Sequence, residues 1–276
     1  MQRSLQLSTT LGSLAALIPA FFTFGHIGFV EPELSIIVPV YNEEDNILPM
    51  AREVQAAVKP LGMSYELVFV DDASTDSTWA KIENARRIEP KVRGIRHAAN
   101  AGQSAALWTG IQTSRGPLIA TMDGDLQNDP SDIPKLMEAL REVDFVCGVR
   151  TKRRDNFIRR VSSRTARLAR KWALGVDFCD TGCAMRVFKR KALEGIFPFN
   201  GLHRFLPVLV HGSGAATKEI PINHRPRVAG QSKYGLWNRL GRGIFDLFAM
   251  SWYQKRRLRP IASTQLEPQQ ASRLSA

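Results

Sequence analysis

The stretch Leu118–Pro130, LIATMDGDLQNDP, closes an apolar run of strand length with an Asp-Gly-Asp turn, and the rest of the chain is read outward from it. In a regular strand the side chains of Asp123 and Asp125 share a face, and Gly124 between them lets the exit turn so that both carboxylates approach one point. An isolated Asp-Gly-Asp is ordinarily only a turn. Here it is one of four such endings. The run Leu34–Val40 leads into PVYNEE, Tyr65–Val70 into DDASTD, Val92–His97 into NAG and Leu118–Met122 into DGDLQ. Four independent turns are a poor explanation of polar clusters that each close a strand.

Segments of helical period lie between these runs, near 44–58, 77–88, 103–113 and 133–142, and a fifth run covers 144–149. Strand and helix in alternation predict an α/β fold with a mostly parallel central sheet. Ligands of such sheets sit beyond the carboxyl ends of the strands, which is where the carboxylates and small residues collect. A hard divalent cation, Mg2+ or Mn2+, takes one or two carboxylates plus diphosphate oxygens and water, and Asp123 with Asp125 suits it.

The chain has 276 residues, 44% hydrophobic and 23% charged, enough for the core of one large domain or two small ones. Its 38 Lys and Arg against 26 Asp and Glu leave a net charge of +12, which calls for a polyanionic partner: nucleic acid, a phosphorylated substrate or an anionic bilayer. A nucleic-acid-binding protein would account for the charge but not for the carboxylate rim, and no readout motif accompanies it, so no nucleic-acid partner is expected. Cys147, Cys179 and Cys183 are too few for a disulfide framework or a four-ligand zinc site.

Together SIIVPVYNEEDNI, VFVDDASTDST, NAGQSAAL, ATMDGDLQNDP, GVR and NHRPRVAGQSKYG resemble the inverting glycosyltransferases of family two, with a GT-A fold. The nearest branch is that of dolichol-phosphate mannose synthase and the bacterial polyprenyl-phosphate glycosyltransferases. The likeness runs from about Leu34 to Arg257. It implies transfer of a sugar from a UDP or GDP donor to a polyprenyl phosphate. By position it implies that Pro39, Tyr41, Asn42 and Glu43 line the nucleotide pocket, that Asp72 meets base or ribose, and that Asp71 and Asp76 support that loop. Asp76 has a competing reading, as the cap of the helix beginning near Ser77. Asn100 and Gly102 would lie near the donor, although Asn100 could also simply cap a helix. Asp123 and Asp125 would hold the ion, with Gln127 placing the loop and Gly124 standing where the family usually has Ala.

On the acceptor side the resemblance implies that Arg150, Arg159 and Ser163 bind the lipid phosphate. The segment TKRRDNFIRRVSSRTARLARKWAL is a basic amphipathic helix, suited to anionic headgroups or to a solvated face. Arg225, Arg227 and Lys233 belong to a late cationic loop expected to close over the phosphates, so that Asp125, Arg150 and Lys233 carry catalysis. FCDTGCAMRVF is a looser match, aligning only at Asp180, Arg186 and Phe188. His203, at the start of a helix over 202–210, reads as structural.

The expected organisation is an apolar N-terminal extension over 1–33, a catalytic domain over 34–235, a basic amphipathic interfacial helix over 236–259 and a disordered tail over 260–276. Residues 11–30 carry no charge and admit a membrane span, a surface-lying or disordered extension, or a cleaved signal. The expected location is the cytoplasmic face of the cell membrane, against an anionic surface. A related transferase acting on a polysaccharide or other hydroxyl is the alternative.

Overall fold

The computed structural model describes residues 31–150, 168, 171, 172, 174–226 and 236–256, with the side chains of 236–244 and 254 excepted. Arg159, Ser163, Arg227 and Lys233, the apolar segment over 11–30 and the tail from 260 lie outside the described residues.

Seven strands form one sheet: β1 (Leu34–Val40), β2 (Tyr65–Asp71), β3 (Val92–Arg96), β4 (Leu118–Thr121), β5 (Phe145–Arg150), β6 (Arg186–Lys189) and β7 (Thr217–Ile222). Their order is β3-β2-β1-β4-β6-β5-β7. The helices are α1 (Ile47–Val58), α2 (Thr78–Ile88), α3 (Gln103–Thr113), α4 (Ile133–Ala139), α5 (Leu202–Gly212) and α6 (Leu236–Arg256).

Alternation along β1 explains the layers. Leu34, Ile36, Val38 and Val40 face α1, α2 and α4, where Ile47, Met50, Val54, Ile82 and Leu136 complete one core. Ile37 points to the other face and joins Leu107 and Ile111 of α3 with Leu206 and Leu209 of α5 in a second core. Helices therefore cover both faces, and a parallel sheet needs that cover.

All neighbouring strands pair in parallel except β6, which runs antiparallel between β4 and β5. The sequence reading contains neither β6 nor β7, because β6 is only four residues long and opens on a charged Arg186. A stack of Phe145 on Phe188, 5.0 Å between centroids, fixes β6 against β5. Two features place the site. Strand order reverses at β1, whose neighbours are β2 and β4, and this opens a crevice at their carboxyl ends. The inserted β6 then sets the end of β5, with Arg150, two strands from the end of β4.

The amino ends of the strands are pinned by Glu66. Its carboxylate accepts from the Ser35 hydroxyl at 2.6 Å and the Arg115 amide at 2.6 Å, and pairs with Arg93. Burial works against its charged form, but these hydrogen bonds and the charge of Arg93 outweigh burial and hold the carboxyl below its ordinary value. A depressed carboxyl stabilises the fold above its unfolded pKa and loses that contribution as pH falls through the folded value. Glu66→Gln should therefore cost about 1–3 kcal/mol near neutrality. It should also flatten the fall of stability below about pH 4.5, the ordinary value for this group, in chemical denaturation across pH. An unchanged slope would contradict the assignment.

Candidate active site

Non-glycine residues with positive φ occur, among the described residues, at Asn42 (53°), Ala73 (60°) and Leu126 (58°). They lie at the exits of β1, β2 and β4, so local backbone strain falls at the crevice. Hydrogen bonds on both its backbone and its side chain hold Asn42 in place. The Asn42 amide donates to Ser74 Oγ at 2.9 Å while its side-chain oxygen accepts from the Thr75 amide at 2.8 Å, which ties the first loop to the second. The Glu43 amide donates to Thr78 Oγ1 at 2.8 Å, and Glu43 accepts from Asn46 Nδ2 at 2.6 Å. Pro39 and Tyr41 are half-buried beside them.

Asp71 is fully buried, accepts from the Ser74 amide at 2.9 Å and lies 3.2 Å from Arg96 Nε. Asp76 stands one residue before Ser77, the N-cap of α2, and accepts from the Thr78 amide at 2.9 Å. Asp72 does more than the sequence reveals. Its Oδ1 accepts from the Ala101 amide at 2.9 Å and meets His97 Nδ1 at 2.7 Å, and its Oδ2 accepts from the Gly102 amide at 2.7 Å. Asn100 donates to the Asp72 carbonyl at 3.1 Å rather than capping α3. Gly102, at φ 88°, makes the turn into α3 that a side chain would strain.

That turn delivers Gln103, whose amide donates to Asp123 Oδ1 at 2.8 Å. Gln103 is the contact sequence reasoning missed, although it follows directly on NAG. Asp125 is buried and its Oδ1 accepts from the Gln127 amide at 3.2 Å, a short Asx turn that keeps the carboxylate at the loop. Gly124 is set by close approach: a methyl there would lie 2.6 Å from Val40 Cγ1 and 3.2 Å from the Pro39 carbonyl.

The late loop meets this turn directly. Asn128 and His224 form an isolated bridge, and the Arg225 amide donates to the Gln127 carbonyl at 2.9 Å. The Arg225 guanidinium, expected at the lipid phosphate, is instead held 2.6 Å from Glu53 and 2.8 Å from Asp129. Burial opposes the Asp129 charge, but hydrogen bonds from Ser131 and Arg225 outweigh it and hold that carboxyl low. Arg225 thus clamps the late loop onto the Asp-Gly-Asp turn; two carboxylates satisfy it, and its place in the sequence did not disclose them.

Arg150 closes β5 with its side chain 16% exposed, forked onto Asp180 by Nε at 2.7 Å and Nη2 at 2.8 Å. Burial disfavours its charge, but Asp180 more than compensates and raises its pKa, with a smaller contribution from Asp123. Because β4 and β5 both pair antiparallel with β6, the carboxylate turn and Arg150 stand at the same end of the sheet. Arg186 is completely buried and donates to the Thr181 and His203 carbonyls at 3.0 and 2.7 Å. His203 meets Ser104 Oγ at 2.7 Å, and burial, with Arg204 and Arg186, pushes its pKa down to about 4, so the structural reading suits it. All three cysteines are free, and burial raises the Cys183 thiol to about 11.

Carboxylates closing parallel strands at a crevice, with an arginine across an antiparallel insertion, define a nucleotide-diphosphosugar transferase of the GT-A class. The solved structures agree. A mannosyltransferase from Pyrobaculum calidifontis in complex with GDP-Man and Mn2+ superposes with a TM-score of 0.61 at 20% identity, over 84% of this chain and 67% of that one. Glucosyl-3-phosphoglycerate synthase from Mycobacterium tuberculosis, with Mg2+ and UDP, superposes at 0.59 and 18% identity, over 85% and 83%. The sequence profile of glycosyl transferase family 2 matches residues 35–197. Dodecaprenyl-phosphate galacturonate synthase of Rhizobium johnstonii is 38% identical over 83% of this chain and 69% of its own length. Undecaprenyl-phosphate 4-deoxy-4-formamido-L-arabinose transferase of Pseudomonas paraeruginosa is 38% identical over 78% of this chain, which spans 63% of that relative. The chain belongs to glycosyl transferase family 2 and is a glycosyltransferase.

Proposed function

We propose that the enzyme moves a sugar, with inversion, from a nucleoside diphosphate to a polyprenyl phosphate at the cytoplasmic face of the membrane. The observation that carries this reading is the topology that puts the Asp123–Asp125 turn at the exit of β4 and Arg150 at the end of β5, two strands that run the same way on either side of β6. The lipid substrates named for the relatives support the acceptor.

Two hard carboxylates on one turn fit Mg2+ or Mn2+. Diphosphate oxygens and water would complete the shell of such an ion. The bound ion would supply neutralisation of the charge that builds on the departing diphosphate. The protein's own work is positional. Gln103 and the Gln127 amide hold the two carboxylates, the Asp72-anchored turn shapes the donor side, and Arg150 presents guanidinium donors to the acceptor phosphate. A phosphate oxygen is anionic near neutral pH and attacks without a strong base, so catalysis rests on alignment and electrostatics.

Membrane contact is assigned to α6. Leu247, Met250 and Tyr253 turn toward the second core, while Phe245, Phe248 and Trp252 are 74%, 68% and 65% exposed, beside exposed Lys255 and Arg256. Among the described residues no helix is long and apolar enough to cross a membrane. An aromatic stripe with a basic end matches an interfacial helix. Replacing Phe248 and Trp252 together by Ser should reduce sedimentation with anionic vesicles about tenfold. Equal binding by the variant would remove the stripe from this role.

The activity itself is tested by incubating the enzyme and undecaprenyl phosphate with a panel of radiolabelled UDP and GDP sugars and extracting lipid. One labelled lipid, hydrolysed by mild acid as a glycosyl phosphate is, supports the assignment. Label in an acid-stable polysaccharide or other hydroxyl product would replace it with the hydroxyl-acceptor alternative.

A further inference from the structure

Asp180 occupies Arg150 in a specific way. A guanidinium has five N–H donors, and the carboxylate takes the edge made by Nε and Nη2, at 2.7 and 2.8 Å. Among the described residues the edge formed by Nη1 and the second Nη2 hydrogen has no partner, which leaves it for another oxyanion. The carboxylate is itself held. Glu219 of β7 accepts from the Cys179 amide at 2.9 and 3.0 Å and from the Asp180 amide at 3.2 Å, which fastens the turn that carries Asp180. Gly182 lies over the pair: a methyl there would sit 3.4 Å from Arg150 Nη2 and 3.7 Å from Asp180 Oδ1.

Two roles fit a carboxylate on a phosphate-binding arginine. As a latch, Asp180 would have to be displaced by the acceptor. As a positioning residue, it would stay and hold the guanidinium plane while the phosphate takes the other edge. Burial decides between them. Side chains only 16% and 13% exposed make an unpaired partner expensive, and a latch would impose that penalty on every acceptor bound. Sharing one guanidinium between two oxyanions imposes none. We infer that Asp180 is a positioning residue that presets Arg150 to receive the acceptor phosphate on its Nη1–Nη2 edge, with Glu219 fastening the Asp180 turn. This rests on the reading of Arg150 as the acceptor-phosphate ligand.

The test compares Asp180→Asn, Asp180→Glu and Arg150→Ala in steady-state transfer to undecaprenyl phosphate, with both substrates varied. Asp180→Asn keeps the size of the side chain but loses the charged fork. It should raise KM for the lipid phosphate about tenfold and leave KM for the sugar nucleotide unchanged. Asp180→Glu, which keeps the charge, should recover part of that loss. A fall in lipid KM for Asp180→Asn would establish the latch and overturn the inference. Equal changes in both KM values, or no recovery in the Glu variant, would reduce Asp180 to a structural residue and overturn it also. Arg150→Ala separates the two levels: if it leaves lipid KM unchanged, the phosphate site is elsewhere and the underlying assignment fails, whatever Asp180 does.

Discussion

Asp125→Asn is expected to lower the rate of sugar transfer about a thousandfold while leaving the fold in place. Asparagine has the volume of aspartate and keeps an oxygen to accept the Gln127 amide, so the Asx turn that shapes the loop survives. What disappears is the negative charge of a residue that is only 8% exposed. Labelled-lipid formation gives the rate, and thermal unfolding within a degree or two of the parent shows that the loss is chemical. Full activity in this variant, with divalent metal still required, would take Asp125 out of the ion site.

Arg150→Ala has the next largest expected effect, about a hundredfold in kcat/KM for the lipid phosphate, with donor KM little changed. A bidentate arginine both neutralises and orients a phosphate, and lysine reproduces the charge without the fork, so Arg150→Lys should fall between parent and alanine. The alanine variant also strands Asp180 in a half-buried turn, which lowers stability. Thermal unfolding of each variant must therefore accompany the kinetics. A hundredfold loss that tracks the unfolding temperature and affects both substrates equally would mark a purely structural pair.

The sheet and its active rim were readable because both rest on local rules. Apolar runs such as Leu34–Val40 announce buried strands, and the polar residues that close them announce the rim. The tie between the first two loops follows from side chains whose partners lie 32 or more residues away, such as Asn42 with Ser74. Spacing does not encode such partners. For the same reason β6 went unread: four residues beginning with a buried arginine have no period, and their pairing with β4 and β5 is settled only by tertiary contact. Arg225 shows the other limit. As a cation in a basic loop it looked like a phosphate ligand, but Glu53, 172 residues away, and Asp129 claim its guanidinium. Gly124 is the reverse case, a residue whose small size is explained once Val40 is seen against it.

The central claim is that the ion turn and the acceptor arginine serve one reaction centre. It is tested most directly by 31P NMR of a short soluble polyprenyl phosphate mixed with the enzyme, UDP or GDP, and the paramagnetic ion Mn2+. The acceptor resonance should broaden strongly with the parent enzyme, and Asp125→Asn and Arg150→Ala should each abolish that broadening beyond the protein-free background. Broadening that persists in both variants, or an acceptor signal that never senses the ion, would contradict the account.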